Sequence, residues 1–226
     1  MFKSLLIGAC AFAFSLCVAS GVAQSEAKTI LVVGDSISAA YGLRIEEGWV
    51  NLLRTRLLAQ GYDYRLVNAS VSGETTVGGL ARLPRALSLH QPSVVILELG
   101  GNDGLRGLPL AATRANLDRL VSLSQQAHAR VLLLGMKIPP NYGPRYTDEF
   151  ARGFTQLAQR RKLALVPFFL ERVASSPALM QADGIHPNAR GQPLLLDTVW
   201  PILAPLLRPS SPLPAAAKLP AAAQSR

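Results

Sequence analysis

Thr29-Ile30-Leu31-Val32-Val33-Gly34-Asp35-Ser36 is an unbroken apolar run that ends on a glycine, an acid and a serine. Such a run, rich in β-branched residues, reads as a strand buried on both faces, which is the mark of a parallel sheet. Comparable runs recur at Tyr64-Arg65-Leu66-Val67-Asn68, Val94-Val95-Ile96-Leu97-Glu98-Leu99, Val131-Leu132-Leu133-Leu134 and Leu163-Ala164-Leu165-Val166. The intervening stretches predict helices over 49–58, 77–89, 110–127 and 148–160, and a last one over 190–207. Gly61 is placed to end the first helix, and Pro84 strains the second. Strand and helix in alternation predict an α/β fold, a three-layer α/β/α sandwich with a central parallel sheet and right-handed crossovers.

The ends of the chain have another character. Lys3 precedes an apolar stretch over 5–18 and the small residues Ala19-Ser20-Gly21-Val22-Ala23, the pattern of a cleaved secretory signal. The stretch is shorter than the ~20 apolar residues of a membrane helix, so no stable membrane span is expected. Ile7-Gly8-Ala9-Cys10 imitates a lipoprotein signal, but very little apolar sequence precedes it. We expect a signal peptide over 1–23, one domain over 24–207 and a flexible Pro/Ala-rich tail over 208–226. Cys10 and Cys17 both fall in the expected signal. The mature chain then has no disulfide, thiol catalysis or cysteine metal site.

The 226 residues are 49% apolar, enough for one substantial core. Their net charge of +9 is dispersed, and no helix-turn-helix, zinc finger or aromatic-plus-basic strand accompanies it. The expected partners therefore exclude nucleic acid, and the basic surface suits anionic lipid or acyl carriers.

Ligands of open parallel sheets bind beyond the carboxyl ends of the strands. The first strand delivers Gly34-Asp35-Ser36, the second Asn68-Ala69-Ser70-Val71-Ser72-Gly73, and the third Gly100-Gly101-Asn102-Asp103-Gly104. Near the other end stands Asp183-Gly184-Ile185-His186-Pro187. A serine becomes a strong nucleophile when a histidine takes its proton and a carboxylate orients that histidine. Asp183 lies one turn before His186, which brings its carboxylate beside the imidazole and leaves the other ring nitrogen for Ser36. Ser36 is predicted at the entrance of a helix, with its N–H free for an anion. Ser38, Ser70 and Ser72 lack that position or a partner motif, and His90 and His128 lie in polar surroundings near helix ends.

A tetrahedral intermediate needs waiting donors. Candidates are the N–H groups of Ser36 and Gly73 and the side-chain amide of Asn102. Each residue also has a plainer reading: Ser36 as an N-cap, Gly73 as a positive-φ glycine, Asn102 as a loop tie and Asp183 as a turn former. Two other classes fit parts of the pattern. Gly34-Asp35 and Gly101-Asn102-Asp103 echo metallophosphoesterase blocks, although three histidines are few for a two-metal centre. A non-catalytic lipid- or glycan-binding envelope protein would also suit the scaffold. For substrate, the glycine-bounded loop Gly104-Leu105-Arg106-Gly107-Leu108-Pro109 is expected to move over an acyl chain. The segment Ile138-Pro139-Pro140-Asn141-Tyr142-Gly143-Pro144 is expected to form the opposite wall.

Gly34-Asp35-Ser36, Gly73, Gly101-Asn102-Asp103 and Asp183-Gly184-Ile185-His186 resemble the four blocks of the SGNH (GDSL) hydrolases. Val67 to Gly73, Gly79-Leu80-Ala81-Arg82-Leu83-Pro84, Leu99 to Gly107 and Pro140-Asn141-Tyr142-Gly143 narrow the resemblance to the bacterial thioesterase and lysophospholipase branch. It covers roughly residues 29–207. It implies a flavodoxin-like sheet and a periplasmic monomer that hydrolyses acyl thioesters, aryl esters and lysophospholipids without metal or cofactor. It carries Ser36 over as nucleophile, His186 and Asp183 as the other triad members, and Ser36, Gly73 and Asn102 as the oxyanion hole. The Pro/Ala tail departs from the pattern. The α/β-hydrolase elbow Gly-x-Ser-x-Gly is absent, so the nucleophile must sit in another geometry.

Overall fold

Strands β1 (Lys28–Gly34), β2 (Tyr64–Asn68), β3 (Val94–Glu98), β4 (Arg130–Leu134) and β5 (Ala164–Val166) form one sheet in the order β2-β1-β3-β4-β5, with every pairing parallel. The computed structural model describes residues 27–207, so the expected signal and tail lie outside the described residues. From β1 the chain steps outward to β2 and then returns to β3 on the other side. That reversal is the switch point at which open sheets leave a crevice. Gly34 of β1 is in register with Glu98 of β3, so the two segments that follow these strands emerge side by side.

The helices are α1 (Trp49–Ala59), α2 (Thr76–His90), α3 (Gly101–Leu105), α4 (Leu110–Gln126), α5 (Pro144–Arg161) and α6 (Gln192–Leu203). α1 packs on α6, while α2 packs on α4 and α4 on α5, giving the three layers expected. β1 and β3 are buried throughout their apolar stretches, with Ile30, Leu31, Val32, Val94, Val95, Ile96 and Leu97 fully inaccessible.

Several boundaries differ from the sequence expectation. α2 runs through Pro84 without a break; the lost hydrogen bond is offset by burial of Leu83 and Leu87 on either side. α5 starts at Pro144, a residue suited to the first helical turn, directly after Gly143 at φ +89°. α6 is shorter than expected and gives way to a 3₁₀ turn, Ala204–Leu206. α3 was not foreseen. Its Asp103 is buried and accepts the Thr76 N–H at 2.9 Å, so this acid closes the first turn of α2.

Candidate active site

Gly34 has no room for a side chain. A Cβ there would stand 2.7 Å from Glu98 Oε2 and 2.8 Å from Ser38 Oγ. Beyond it the predicted helix entrance is instead a series of turns. The Asp35 carboxylate accepts the Ile37 N–H at 3.0 Å, and Tyr41 N–H donates to Ser36 O at 3.0 Å. A side chain that captures a backbone donor in this way competes with regular helix. Ser36 is thereby held at the carboxyl edge of β1.

The His186 turn is clamped to this edge from below. Buried Gln192 accepts the Trp49 N–H at 3.0 Å and donates to Pro187 O at 3.1 Å, while Gln181 Nε2 donates to Tyr41 O at 2.8 Å. Within the turn, Asp183 Oδ1 accepts the N–H groups of Ile185 at 2.9 Å and His186 at 3.0 Å. Asp183 Oδ2 lies 2.6 Å from His186 Nδ1, and His186 Nε2 lies 2.8 Å from Ser36 Oγ. The His186 N–H foremost, then the His186 ring and the Ile185 N–H, hold the Asp183 carboxyl down to about 2 against the opposing effect of burial. An ionised carboxylate only accepts, so Nδ1 carries the proton of the neutral ring. Nε2 is left to accept from the Ser36 hydroxyl.

The other residues singled out in sequence gather at the same crevice. Gly73 is at φ +77°, in a turn closed by Glu74 N–H to Val71 O at 3.1 Å. Its glycine is thus required by the backbone as well. Asn102, in the first turn of α3, donates one amide N–H to Asp35 Oδ2 at 3.2 Å. Among the described residues, the N–H groups of Ser36 and Gly73 donate to no protein acceptor.

Ser36, Gly73, Asn102 and His186 open on a cavity of about 620 Å³. Its apolar wall includes Leu105, Met136, Ile138, Phe168, Leu170 and Met180. The Tyr41 ring leans on the imidazole with centroids 4.7 Å apart.

The expected substrate segments need correction. Of the loop 104–109 only Leu105 lines the cavity; Arg106, Gly107, Leu108 and Pro109 do not. At Gly104 a Cβ would meet Ile138 at 2.7 Å and Phe150 at 2.8 Å, so close packing requires the glycine there. The loop is also tied down. Tyr142 Oη donates to Leu105 O at 2.7 Å, and Tyr146 Oη reaches Gly104 O and Leu108 O at 3.3 and 3.2 Å. The Arg106 guanidinium donates to Gly73 O at 2.9 Å. On the opposite wall Ile138, Pro139 and Pro140 line the cavity, whereas Asn141 and Tyr142 stand outside it.

Two acids were named in sequence without a role in the hydrolase site. Asp35 is 2% exposed and Glu98 is fully buried. Glu98 Oε2 accepts from the Ser38 hydroxyl at 2.7 Å and the Asp35 N–H at 3.2 Å. Burial pushes the Asp35 carboxyl up to about 6. Burial first, and then the charge of Asp35, raise Glu98 well above the usual carboxylate range. The available signal was an acid inside the apolar run 94–99.

A parallel sheet with a serine, an imidazole and a carboxylate in one hydrogen-bonded line at its switch point defines a class of hydrolase. The chain belongs to the GDSL-like lipase/acylhydrolase family, whose model matches residues 32–194, and it is an enzyme. It is 56% identical to the esterase TesA of Pseudomonas aeruginosa over 184 residues, 81% of this chain and 92% of that one. It is 42% identical to thioesterase 1/protease 1/lysophospholipase L1 of Escherichia coli K12 over 187 residues, 83% of this chain and 88% of that one. Among solved structures, the psychrotrophic esterase EstA from Pseudoalteromonas sp., inhibited by monoethylphosphonate, is similar with a TM-score of 0.76 at 46% identity. That match covers 79% of this chain and 97% of EstA.

Proposed function

We propose that the protein is a serine esterase and thioesterase that hydrolyses acyl thioesters, aryl esters and lysophospholipids through an acyl-enzyme on Ser36. The observation that carries this reading is the unbroken line from Asp183 through His186 to Ser36, at 2.6 and 2.8 Å, at the mouth of an apolar cavity. His186 Nε2 takes the hydroxyl proton as Ser36 Oγ bonds to the acyl carbon, and Asp183 stabilises the imidazolium. The carbonyl oxygen becomes an oxyanion held by the N–H groups of Ser36 and Gly73 and by the Asn102 amide. When the bond to the leaving group breaks, His186 gives that proton to the departing thiolate or alkoxide. Water then attacks the acyl carbon with His186 again as base, which frees the acid and restores the serine. No metal or cofactor enters the scheme.

The cavity wall is suited to an acyl chain, and each CH₂ buried there contributes about 0.8 kcal/mol. The names of the relatives, which cover esterase, thioesterase and lysophospholipase, support the substrate range. From the N-terminal signal pattern we further propose export to the periplasm, and from the family resemblance that the enzyme acts as a monomer. The test is covalent labelling with a fluorophosphonate, read by peptide mass spectrometry. The reading requires the adduct on the peptide carrying Ser36 and loss of labelling in Ser36→Ala. Labelling of another residue, or full turnover by Ser36→Ala, overturns it.

A further inference from the structure

The mechanism leaves unused two buried acids of the site, Asp35 and Glu98. Glu98 is fully enclosed, and among the described residues its Oε1 meets no hydrogen-bond partner. Its Oε2 already accepts from the Ser38 hydroxyl at 2.7 Å and the Asp35 N–H at 3.2 Å, and Trp49 Nε1 donates to that same Ser38 hydroxyl at 3.2 Å. The Asp35 N–H to Glu98 Oε2 bond brings the two residues together, close enough for the charge of Asp35 to act on the Glu98 carboxyl. The two Asp35 carboxyl oxygens face Ile37 N–H at 3.0 Å and Asn102 Nδ2 at 3.2 Å. Among the described residues no arginine or lysine pairs with either acid, and the cation-forming group that acts on Asp35 is His186.

Two carboxylates cannot both be charged in contact without a cation; one proton between them removes the repulsion. A proton on Glu98 Oε1 would also end the isolation of that oxygen, since a buried polar atom without a partner costs roughly 1–3 kcal/mol. Asp35, kept ionised, is then a strong acceptor for the Asn102 amide. A primary amide is planar, so fixing one N–H fixes the direction of the other.

We propose that Glu98 carries a shared proton toward Asp35, and that Asp35 is a positioning residue which locks the Asn102 amide so that its second N–H faces the forming oxyanion. Asp35 thus acts on the reaction through Asn102 and touches no substrate. The inference rests on the proposed role of Asn102 as oxyanion donor. It accounts for the acid of the Gly34-Asp35-Ser36 block and for the acid inside β3 by a single hydrogen-bonded chain, Glu98 to Asp35 to Asn102.

A double-mutant cycle tests it, with kcat and KM measured on a nitrophenyl acyl ester. Asn102→Ala is expected to lower kcat by about 10²–10³-fold. Asp35→Asn should lower kcat by about tenfold or more with KM nearly unchanged, because only transition-state binding suffers. In the Asn102→Ala background Asp35→Asn should cost less than about twofold, since residues that act as one unit are not additive. Multiplying losses would overturn the inference and leave the triad intact. An Asn102→Ala variant with unchanged turnover would overturn the oxyanion reading and this inference with it.

Two measurements stand independently of how Asp35→Asn folds. Glu98→Gln keeps a donor toward Asp35 and Glu98→Met does not, so the former should turn over at least about fivefold faster. Equal rates contradict the proposal. The infrared difference spectrum of wild type against Glu98→Gln at neutral pH should contain a protonated carboxyl band in the wild type. Its absence contradicts the shared proton.

Discussion

The Ser36 hydroxyl and His186 Nε2 are 2.8 Å apart although 150 positions of chain separate them. No local geometry produces that approach. It follows from the switch point between β1 and β3, which opens the crevice, and from Gln192 and Gln181, which fasten the His186 turn to the segment after β1. The contact itself is short enough for proton transfer, and its direction is set by the Asp183 bond to the opposite ring nitrogen.

His186→Asn is expected to lower kcat by at least about 10³-fold with little change in KM, because the proton acceptor is lost and the cavity is untouched. Adding Ser36→Ala should cost nothing further. Steady-state kinetics on a nitrophenyl ester checks both statements, and a further large loss in the double variant would contradict the unit.

Asp183→Asn is expected to cost about 10²–10⁴-fold in kcat, since the ring is then held in the wrong tautomer. The Asp183 carboxyl is held down to about 2 from an ordinary 3.8, so the stabilisation from its bonds is present above about 4 and lost as pH falls through 2. Wild type should therefore lose its stability advantage over Asp183→Asn only in strong acid, as read by thermal melts across pH. The side chain is 37% exposed, which keeps this advantage small.

Asp35 has the opposite sign. Its folded-state value near 6 lies above the ordinary 3.8, so its contribution is most favourable below about 4 and falls as pH rises through 6. Asp35→Asn should accordingly gain melting temperature relative to wild type between pH 4 and 7, while losing turnover. A constant difference over that window would show that Asp35 is not strained by its burial.

Gly34→Ala places a methyl group against Glu98 Oε2 and Ser38. Overpacking of this kind costs about 1–3 kcal/mol and shifts the Asp35 segment. Thermal melts should register the loss, and turnover should fall with it; a variant as stable and active as wild type would contradict the close packing of β1 on β3.

Leu105→Asp puts a charge in the cavity wall and should reduce turnover of long acyl esters at least about tenfold more than short ones. Tyr142→Phe removes only the bond to Leu105 O and should act weakly and equally on all chain lengths. A panel of nitrophenyl esters of graded length separates the two.

β1, β3 and β4 were legible because a strand buried on both faces must be apolar along its whole length, and the edge strands β2 and β5, which are less buried, were legible from their alternation with helices; the strand order and its switch point were not. The hydrogen-bonded line of Ser36, His186 and Asp183 was legible because Asp183 and His186 are three residues apart and Ser36 follows β1 by two. α3 was not, since five residues are too few for a helical period. Glycine content suggested a mobile loop at 104–109, yet Gly104 is packed on Phe150 and the loop carbonyls are bound by Tyr142 and Tyr146, whose reach across 37–42 positions leaves no local trace. Glu98 had a trace, an acid among buried aliphatics, but its partner Asp35 is 63 positions away and only the β1–β3 register brings them together.

The account turns on a covalent acyl group at Ser36. Rapid acid quenching of the enzyme during turnover of a nitrophenyl acyl ester, followed by peptide mass spectrometry, measures it directly. The acyl mass should appear on the peptide that carries Ser36, at a level matching the initial burst of nitrophenol. A burst-free reaction with no acylated peptide, at full turnover, would contradict the mechanism.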